Sequence, residues 1–254
     1  MLKKLRLIVS WGLMPLILVT LLAFNYQKQS ELNCNALHVE VDAANNVFFV
    51  TKRDVETKIL SRNPSLVGTP LKDVSLSDLE NLLLEIPHVK HAKVYATIEG
   101  EIHVKVTQRK PIARFVFSDG GGMYLDKEGK ILPLSKNYAA RVLTVSGRLS
   151  KTWLKLKNES DGQLLHQIFV LASFIQQNEF LKAQLQQLYV NENQELEFIP
   201  RVGNHIIEFG DWSSYEKKFE NLEIFYREGL AYKGWNRYEK ISLKYRDQVV
   251  CTKK

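Results

Sequence analysis

The feature that most constrains this chain is an apolar segment near its start, Leu7–Phe24, which contains no charged side chain. A bilayer core about 30 Å thick needs roughly 20 apolar residues of helix to cross it. Trp11 and Tyr26 lie near the two ends of the segment and suit the membrane interfaces. Three basic residues precede it, so the N-terminus should stay in the cytoplasm. We therefore expect a cytoplasmic tail over 1–6 and a transmembrane helix over 7–26.

A cleaved signal peptide is the alternative, because it also has a basic start and an apolar middle. The apolar run is longer than a usual signal core, and no small-x-small cleavage site occurs in the sequence FNYQKQSELN that follows it. An uncleaved anchor is therefore the favoured interpretation.

The rest of the chain is long enough for two modest domains or one large one. The formal charge of +7 falls to +4 once the three basic residues before the anchor are removed. We interpret this mild excess as surface solvation with weak attraction to anionic surfaces, and not as a nucleic-acid footprint. Cys34 and Cys251 lie at opposite ends of the exported part, so they do not form a disulfide framework, and two free thiols are expected.

The first exported block, 35–107, has a β-α-α-β-β order. Leu37–Val41 alternates apolar and polar residues like a half-buried strand. A helix is predicted after Thr51, where Asp54 completes a capping box, and a second one begins near Ser75 with a leucine-rich face. A proline then ends the second helix.

A β-hairpin closes this block, and its register follows from the sequence. A two-residue loop would place the apolar residues of the two strands on opposite faces. A three-residue loop, Ile98–Gly100, instead pairs Ala96 with Ile102 and puts Gly100 at the left-handed position of a bulge. The side chains expected to face outward are those of Lys93, Tyr95, His103 and Lys105.

The second block, 108–254, is predicted to be a mixed β-rich domain with two helices, which makes the fold class α+β. The helices are expected from Gln163 to about Phe180 and from Ser213, with Glu216 completing its cap. The last strand is predicted over Glu239–Val250. One of its faces would carry Ile241, Leu243 and Tyr245, and the other Ser242, Lys244 and Arg246.

No motif for catalysis, a metal or a cofactor is recognisable. His88 and His91 are three residues apart, but a helix-to-strand junction denies them a shared helical face. The glycines at Gly120–Gly122 join two short strands, so they form a turn and not a phosphate-binding loop. Glu195 and Glu197 alternate along a strand, most simply on its solvated face. We therefore expect a protein that is not an enzyme.

The terminal strand is the feature that suggests a function. If it lies at the edge of its sheet, its backbone N–H and C=O groups can pair with a strand from another protein. The alternative is an edge kept unpaired by its lysines and arginine. The residues alone leave both interpretations open.

Several weak motifs follow one another along the chain. They are IPHVKHAKV at 86–94, QRKPIA at 108–113, YLD with the following glycine at 124–129, LTVSG at 143–147 and ISLKY at 241–245. Their order resembles the bacterial cell-division family FtsQ, called DivIB in Gram-positive bacteria, and is most similar to the Bacteroidetes form. The resemblance covers nearly the whole chain.

The resemblance implies a POTRA domain over 35–107 and the family's β-domain over 108–254. It further implies a non-enzymatic scaffold of the inner membrane, single-pass with its bulk in the periplasm, that acts at the division septum. Such a scaffold joins FtsB-like (DivIC) and FtsL-like subunits and links them to septal peptidoglycan synthesis. Its POTRA domain serves septal recruitment and contacts other division proteins.

In the family, a partner adds a strand beside the terminal strand of the β-domain. Carried onto this chain, the expected partner-binding residues are Ile241, Ser242, Leu243, Lys244, Tyr245, Arg246, Gln248, Val249 and Val250. The chain departs from the family at His88, where an aromatic residue is usual, and in its short tail Cys251–Lys254. The competing functions are a membrane-tethered envelope enzyme and a POTRA-type chaperone of outer-membrane protein assembly.

Overall fold

The computed structural model describes residues 17, 19–20, 32–42, 47–149, 159–245 and 248–254. The chain divides into two compact units, Met1–Gln108 and Arg109–Lys254. None of the helices in these described ranges is long and apolar enough to span a membrane. The expected tail at 1–6 and span at 7–26 lie outside the described residues, apart from Ile17, Val19 and Thr20.

The first unit has the predicted β-α-α-β-β order. Its elements are β1 (Ala36–Asp42), α1 (Lys52–Arg62), α2 (Leu76–Leu84), β2 (Val89–Ala96) and β3 (Glu101–Gln108), with a 3₁₀ turn at Leu71–Asp73. The strands form one sheet in the order β1-β3-β2, in which β1 runs parallel and β2 antiparallel to β3. The unit's core includes the buried side chains of Val55, Ile59, Leu79, Leu83, Ile102, Val104 and Val106.

Both predicted helix caps of the first unit are confirmed. The Thr51 hydroxyl accepts the N–H of Asp54 at 3.2 Å, and the Asp54 carboxylate accepts the N–H of Thr51 at 2.8 Å. The Ser75 hydroxyl accepts the N–H of Asp78 at 3.3 Å. These bonds satisfy donors that a helix start leaves without partners inside the helix.

The hairpin register is also confirmed. Ala96 lies opposite Ile102, and the N–H of Thr97 donates to the carbonyl of Glu101 at 2.9 Å. Gly100 has a φ of +86°, the left-handed conformation that the three-residue loop requires. The face away from the core carries the exposed Lys93 and Lys105 and the half-buried Tyr95 and His103.

Among the described residues, the second unit is built on a nine-stranded mixed sheet. Its strands are β4 (Pro111–Val116), β5 (Gly122–Asp126), β6 (Ile131–Pro133), β7 (Leu143–Gly147), β8 (Leu185–Val190), β9 (Leu196–Pro200), β10 (Ile206–Gly210), β11 (Tyr238–Ser242) and β12 (Val250–Lys253). Their order across the sheet is β12-β11-β10-β9-β8-β7-β4-β5-β6. The parallel pairs are β4 with β7, β7 with β8, and β10 with β11.

Helices connect two of these parallel pairs. β7 and β8 are connected through the helices α3 (Glu159–Gln177) and α4 (Glu179–Gln184). β10 and β11 are connected through the helix α5 (Tyr215–Ile224) and the π-helical turn Phe225–Leu230. The ring of Phe174 in α3 stacks on Phe219 in α5 with centroids 5.5 Å apart, so the two long helices pack together. Phe219 also contacts the strand residues Phe198 and Phe209, which places both helices on one face of the sheet.

Three predicted helix boundaries are wrong. The helix expected from Gln163 begins at Glu159. The helix expected up to Phe180 ends at Gln177, because the Asn178 side chain caps a new helix by accepting the N–H of Leu181 at 3.0 Å. The other helix begins at Tyr215 with no side-chain cap from Ser214, whose φ is +49°. Ser213 does not cap it, because its hydroxyl and N–H both donate to the Asp211 carboxylate.

Candidate functional site

The strand that the sequence singled out lies inside the sheet. β11 is parallel to β10 on one side and antiparallel to β12 on the other. Ile241, for example, lies opposite Ile207 in β10 and Cys251 in β12. The backbone of β11 is therefore already paired along both sides.

The prediction of one strand over Glu239–Val250 is wrong. β11 ends at Ser242 and β12 begins at Val250, and the two are antiparallel, so the chain reverses between them. Alternating apolar and polar residues fit two short strands joined by a reversal as well as one long strand. A strand of about 5–6 residues is also the commoner length.

The first three predicted partner-binding residues are buried in the unit itself. Ile241, Ser242 and Leu243 are 0%, 7% and 2% exposed. The N–H of Leu243 donates to the carbonyl of Glu208 at 2.8 Å, which continues the pairing with β10 beyond the end of β11. Contacts with a partner would have to come from the residues that follow.

Lys244 is the first residue of the predicted set that reaches solvent. Its Nζ lies 2.7 Å from Oε2 of Glu195, just before β9. Because of this hydrogen bond, the pKa of Lys244 is raised and that of Glu195 is lowered. The Glu195 side chain is 37% exposed, and the ion pair ties the segment after β11 to the turn before β9.

Tyr245 does not share a face with Ile241 and Leu243 as predicted, since it is 55% exposed whereas they are buried. Tyr245 lies beyond the end of β11, so the alternation of side chains between the two faces of a strand does not apply to it. Arg246 lies outside the described residues. Gln248 is exposed, Val249 packs against the core, and Val250 is 41% exposed at the start of β12.

Among the strands that the structure describes, the sheet ends at β12, the last strand in its order. The N–H of Lys254 donates across the strand pair to the carbonyl of Arg237 at 3.3 Å. Since antiparallel backbone groups alternate between the two sides of a strand, the N–H and C=O of Lys253 point away from β11. Sequence reasoning missed Thr252 and Lys253 as edge residues, although the apolar Val249 and Cys251 two positions apart could have signalled a separate strand.

The opposite edge of the sheet is built differently. β6 has three residues, Ile131–Pro133, and pairs only in antiparallel fashion with β5 among the described strands. A proline lacks the N–H that a strand ladder needs, and very short edge strands give little surface for pairing. Of the two edges, β12 is the better template for another chain.

The neighbourhood of β12 is basic and contains an exposed aromatic side chain. Lys253 and Lys254 are exposed at its end, and Tyr245 is exposed in the segment before it. The arrangement offers backbone hydrogen bonds, positive charge and one aromatic surface, which suits binding of an extended peptide more than chemistry on a small molecule.

The two histidines of the first unit that were considered as metal ligands, His88 and His91, differ in burial. His88 is 7% exposed and its ring lies 4.8 Å from that of Phe49, whereas His91 is an exposed residue of β2. The departure from the family at His88 is thus a ring packed against an aromatic residue.

Comparison with known proteins agrees with this architecture. A family model for a POTRA-like domain matches residues 32–107. A model described as FtsQ/DivIB, C-terminal related, matches residues 110–252, which is more than half of the chain. No curated protein matches the chain. FtsQ/DivIB proteins are non-enzymatic scaffolds of cell division. The resemblance in the sequence is therefore confirmed, and the chain is a cell-division protein that belongs to the FtsQ/DivIB family and carries a POTRA-like domain.

Proposed function

We propose that this chain is a non-enzymatic scaffold that binds FtsB-like (DivIC) and FtsL-like division proteins and links them to septal peptidoglycan synthesis. The binding site is the edge strand β12, to which a partner adds a strand. The observation that carries the proposal is the position of β12 at the end of the sheet in the region matched to the family.

The backbone supplies the main interaction. Each residue of β12 that points away from β11 presents one donor and one acceptor to an added strand. Lys253 is such a residue, and its side chain is exposed. A net gain of about 0.5–1.5 kcal/mol for each hydrogen bond gives modest affinity from a short strand, so side-chain contacts at Tyr245 and beyond would add to it.

Charge favours an acidic partner segment. Lys253 and Lys254 are exposed beside the edge, and ion pairs with them would raise the association rate at low salt. Because exposed charges are screened, binding should weaken as ionic strength rises.

We also propose that the protein is anchored in the inner membrane at the division septum. The apolar segment Leu7–Phe24 supports a single-pass anchor in the inner membrane, with both domains in the periplasm at the septum. The POTRA domain would serve septal recruitment and contact other division proteins there.

The competing functions lack a specific observation. A cell-wall hydrolase needs a pocket with convergent titratable groups. The cleft between α1 and α2 is lined by three carboxylates, Asp73, Asp78 and Glu85, but all three are exposed and Glu85 is paired with Lys58 at 2.8 Å. An outer-membrane assembly chaperone would be expected to carry repeated POTRA modules, whereas one match to that domain covers residues 32–107.

A matched pair of substitutions at Lys253 tests the edge. Lys253→Pro removes the outward N–H, and Lys253→Ala removes the charge but keeps that donor. The full-length chain in detergent is titrated with the FtsB-like and FtsL-like proteins at two salt concentrations. We expect Lys253→Pro to weaken binding roughly tenfold, as for one hydrogen bond of about 1.4 kcal/mol, and Lys253→Ala to weaken it less.

The control is the fold of each variant, followed by circular dichroism and thermal unfolding. A folded Lys253→Pro variant that binds like the native chain would exclude strand addition at β12. Leu243→Pro is a poor probe, because it deletes the internal hydrogen bond to Glu208 and so damages the sheet itself.

A further inference from the structure

Three side chains with metal-ligating atoms meet on the outward face of the first unit's sheet. Glu101 and His103 are two residues apart in β3, so they point to the same side. His38 in β1 lies directly opposite His103 through the parallel pairing of the two strands. This cluster was not predicted from the sequence, because β1 and β3 are separated by the whole helical part of the unit.

Two of the three separations between the ligand atoms are already close to those around a metal ion. Oε2 of Glu101 lies 3.4 Å from Nε2 of His38 and 3.2 Å from Nε2 of His103. One ligand atom from each residue lies within 4.8 Å of the other two. A tetrahedral zinc ion with bonds of about 2.0–2.1 Å holds its ligand atoms roughly 3.3 Å apart. The two separations from Glu101 match that value. The ligand nitrogens of His38 and His103 lie within 4.8 Å of each other, and side-chain rotation that brings them closer would complete the set.

We propose that His38, Glu101 and His103 form a binding site for a divalent transition-metal ion, with Zn²⁺ the best fit. Two imidazoles and one carboxylate are a usual zinc donor set, and water fills the fourth position. Imidazole nitrogens also disfavour Mg²⁺ and Ca²⁺, which take oxygen ligands.

The surroundings hold the ligands in place. The ring of Tyr95, on the neighbouring strand β2, stacks on that of His103 with centroids 5.3 Å apart and an angle of 12°. Two residues further along both strands, Nζ of Lys105 lies 3.4 Å from the Glu40 carboxylate. The nearest lysine on β3 is therefore paired with its own acid, which limits its repulsion of a bound cation.

Binding would join two strands. β1 is at one edge of the three-stranded sheet, and a metal held by His38 on β1 and by Glu101 and His103 on β3 bridges them. A ligand that binds only the folded state stabilises it in proportion to the logarithm of its concentration. Zinc should therefore raise the melting temperature of the unit that contains the POTRA-like domain.

The test is calorimetric titration of the full-length chain, without a polyhistidine tag, with Zn²⁺ as the probe. A Cys251→Ser background removes a half-buried thiol that could compete as a ligand. We expect one zinc ion for each chain, and binding at least about tenfold weaker in His38→Gln and in His103→Gln, since each substitution removes a direct ligand. His91→Gln is the matched control, because His91 is an exposed histidine on the same sheet but outside the cluster.

A spectroscopic readout separates a formed site from scattered histidine binding. X-ray absorption of the zinc-loaded chain should show two imidazoles and oxygen ligands, and the Co²⁺ form should have the visible absorbance of a tetrahedral ion. Binding that is equally strong in the His38→Gln, His103→Gln and His91→Gln variants would overturn the proposal. So would the absence of zinc binding below about 1 mM, which corresponds to roughly 4 kcal/mol. Neither result bears on strand addition at β12.

Discussion

Asp126 accepts a hydrogen bond of 2.8 Å from the guanidinium of Arg109, and both side chains are largely buried. The other oxygen of Asp126 accepts the N–H groups of Glu128 at 2.9 Å and Lys130 at 2.8 Å. One carboxylate thus joins the segment before β4 to the turn between β5 and β6. Arg109 and Asp126 belong to two of the motifs that carried the family resemblance, and their contact gives those motifs a structural reason.

Replacing Asp126 should therefore be costly. In Asp126→Ala, the Arg109 charge loses its buried partner and the turn loses two acceptors, and we expect a loss of about 3–5 kcal/mol in the free energy of unfolding. Urea denaturation measures this loss in the free energy of unfolding. Glu128→Gln is the control, because Glu128 also contacts Arg109, at 3.1 Å, but is 41% exposed. Glu128→Gln should lower the free energy of unfolding by less than about 1 kcal/mol. Equal losses in the two variants would contradict the role assigned to Asp126.

Gly100 and Gly68 allow backbone strain to be separated from a steric clash. Both have positive φ, +86° and +96°, so alanine is strained at either position. A Cβ at Gly100 would lie 2.5 Å from the carbonyl oxygen of Asn33, whereas nothing lies within 4 Å of one at Gly68. We expect Gly68→Ala to cost about 1 kcal/mol and Gly100→Ala clearly more. Similar melting temperatures for the two variants would show that the Asn33 segment moves aside freely.

Sequence reasoning succeeded where the determinants are local. The Thr51 capping box and the loop at Gly100 each depend on residues within a few positions of one another, so side-chain chemistry and the parity of apolar residues decide them. It failed where local signals were ambiguous. Ser213 looked like a cap, but Asp211 two residues earlier takes its donors.

Long-range pairing explains the other failures. The division of the terminal strand at Ser242 depends on β12 folding back onto β11, which alternation cannot predict. The cluster of His38, Glu101 and His103 likewise requires the parallel register of β1 and β3. Periodicity describes which side of an element is apolar, whereas these features depend on which element lies beside it.

Phe219 should be among the residues most important for the second unit's stability. It is 1% exposed and its ring contacts those of Phe174, Phe198 and Phe209. Phe219→Ala would leave a cavity between α5 and the sheet, and we expect a loss of about 3–5 kcal/mol in the free energy of unfolding. Tyr232→Ala is the aromatic control, since Tyr232 is 87% exposed, and its effect should stay within about 0.5 kcal/mol. Denaturant titration of both variants measures these changes in the free energy of unfolding.

His205 should make the second unit sensitive to mild acid. Its ring is 3% exposed, and its Nε2 lies 2.5 Å from the hydroxyl of Tyr226. Burial lowers the pKa of His205 from its ordinary value of 6.5, and burial raises the pKa of Tyr226. The phenol therefore keeps its proton and can donate it in a hydrogen bond to the neutral imidazole.

The sign of the pH effect follows from this shift. Below pH 6.5 the unfolded chain binds a proton at His205 more readily than the folded chain does, so acidification favours unfolding. The stability is full above that pH and declines as the pH falls toward the lower pKa of the folded state. In His205→Gln this contribution is absent, and we expect the free energy of unfolding to change less between about pH 7.5 and pH 5.5, a range above the titration of ordinary carboxylates. His166→Gln, which removes an exposed histidine, is the control substitution. Parallel slopes for the native chain and His205→Gln in urea unfolding would refute the role of His205, because the proton uptake on unfolding would then arise elsewhere.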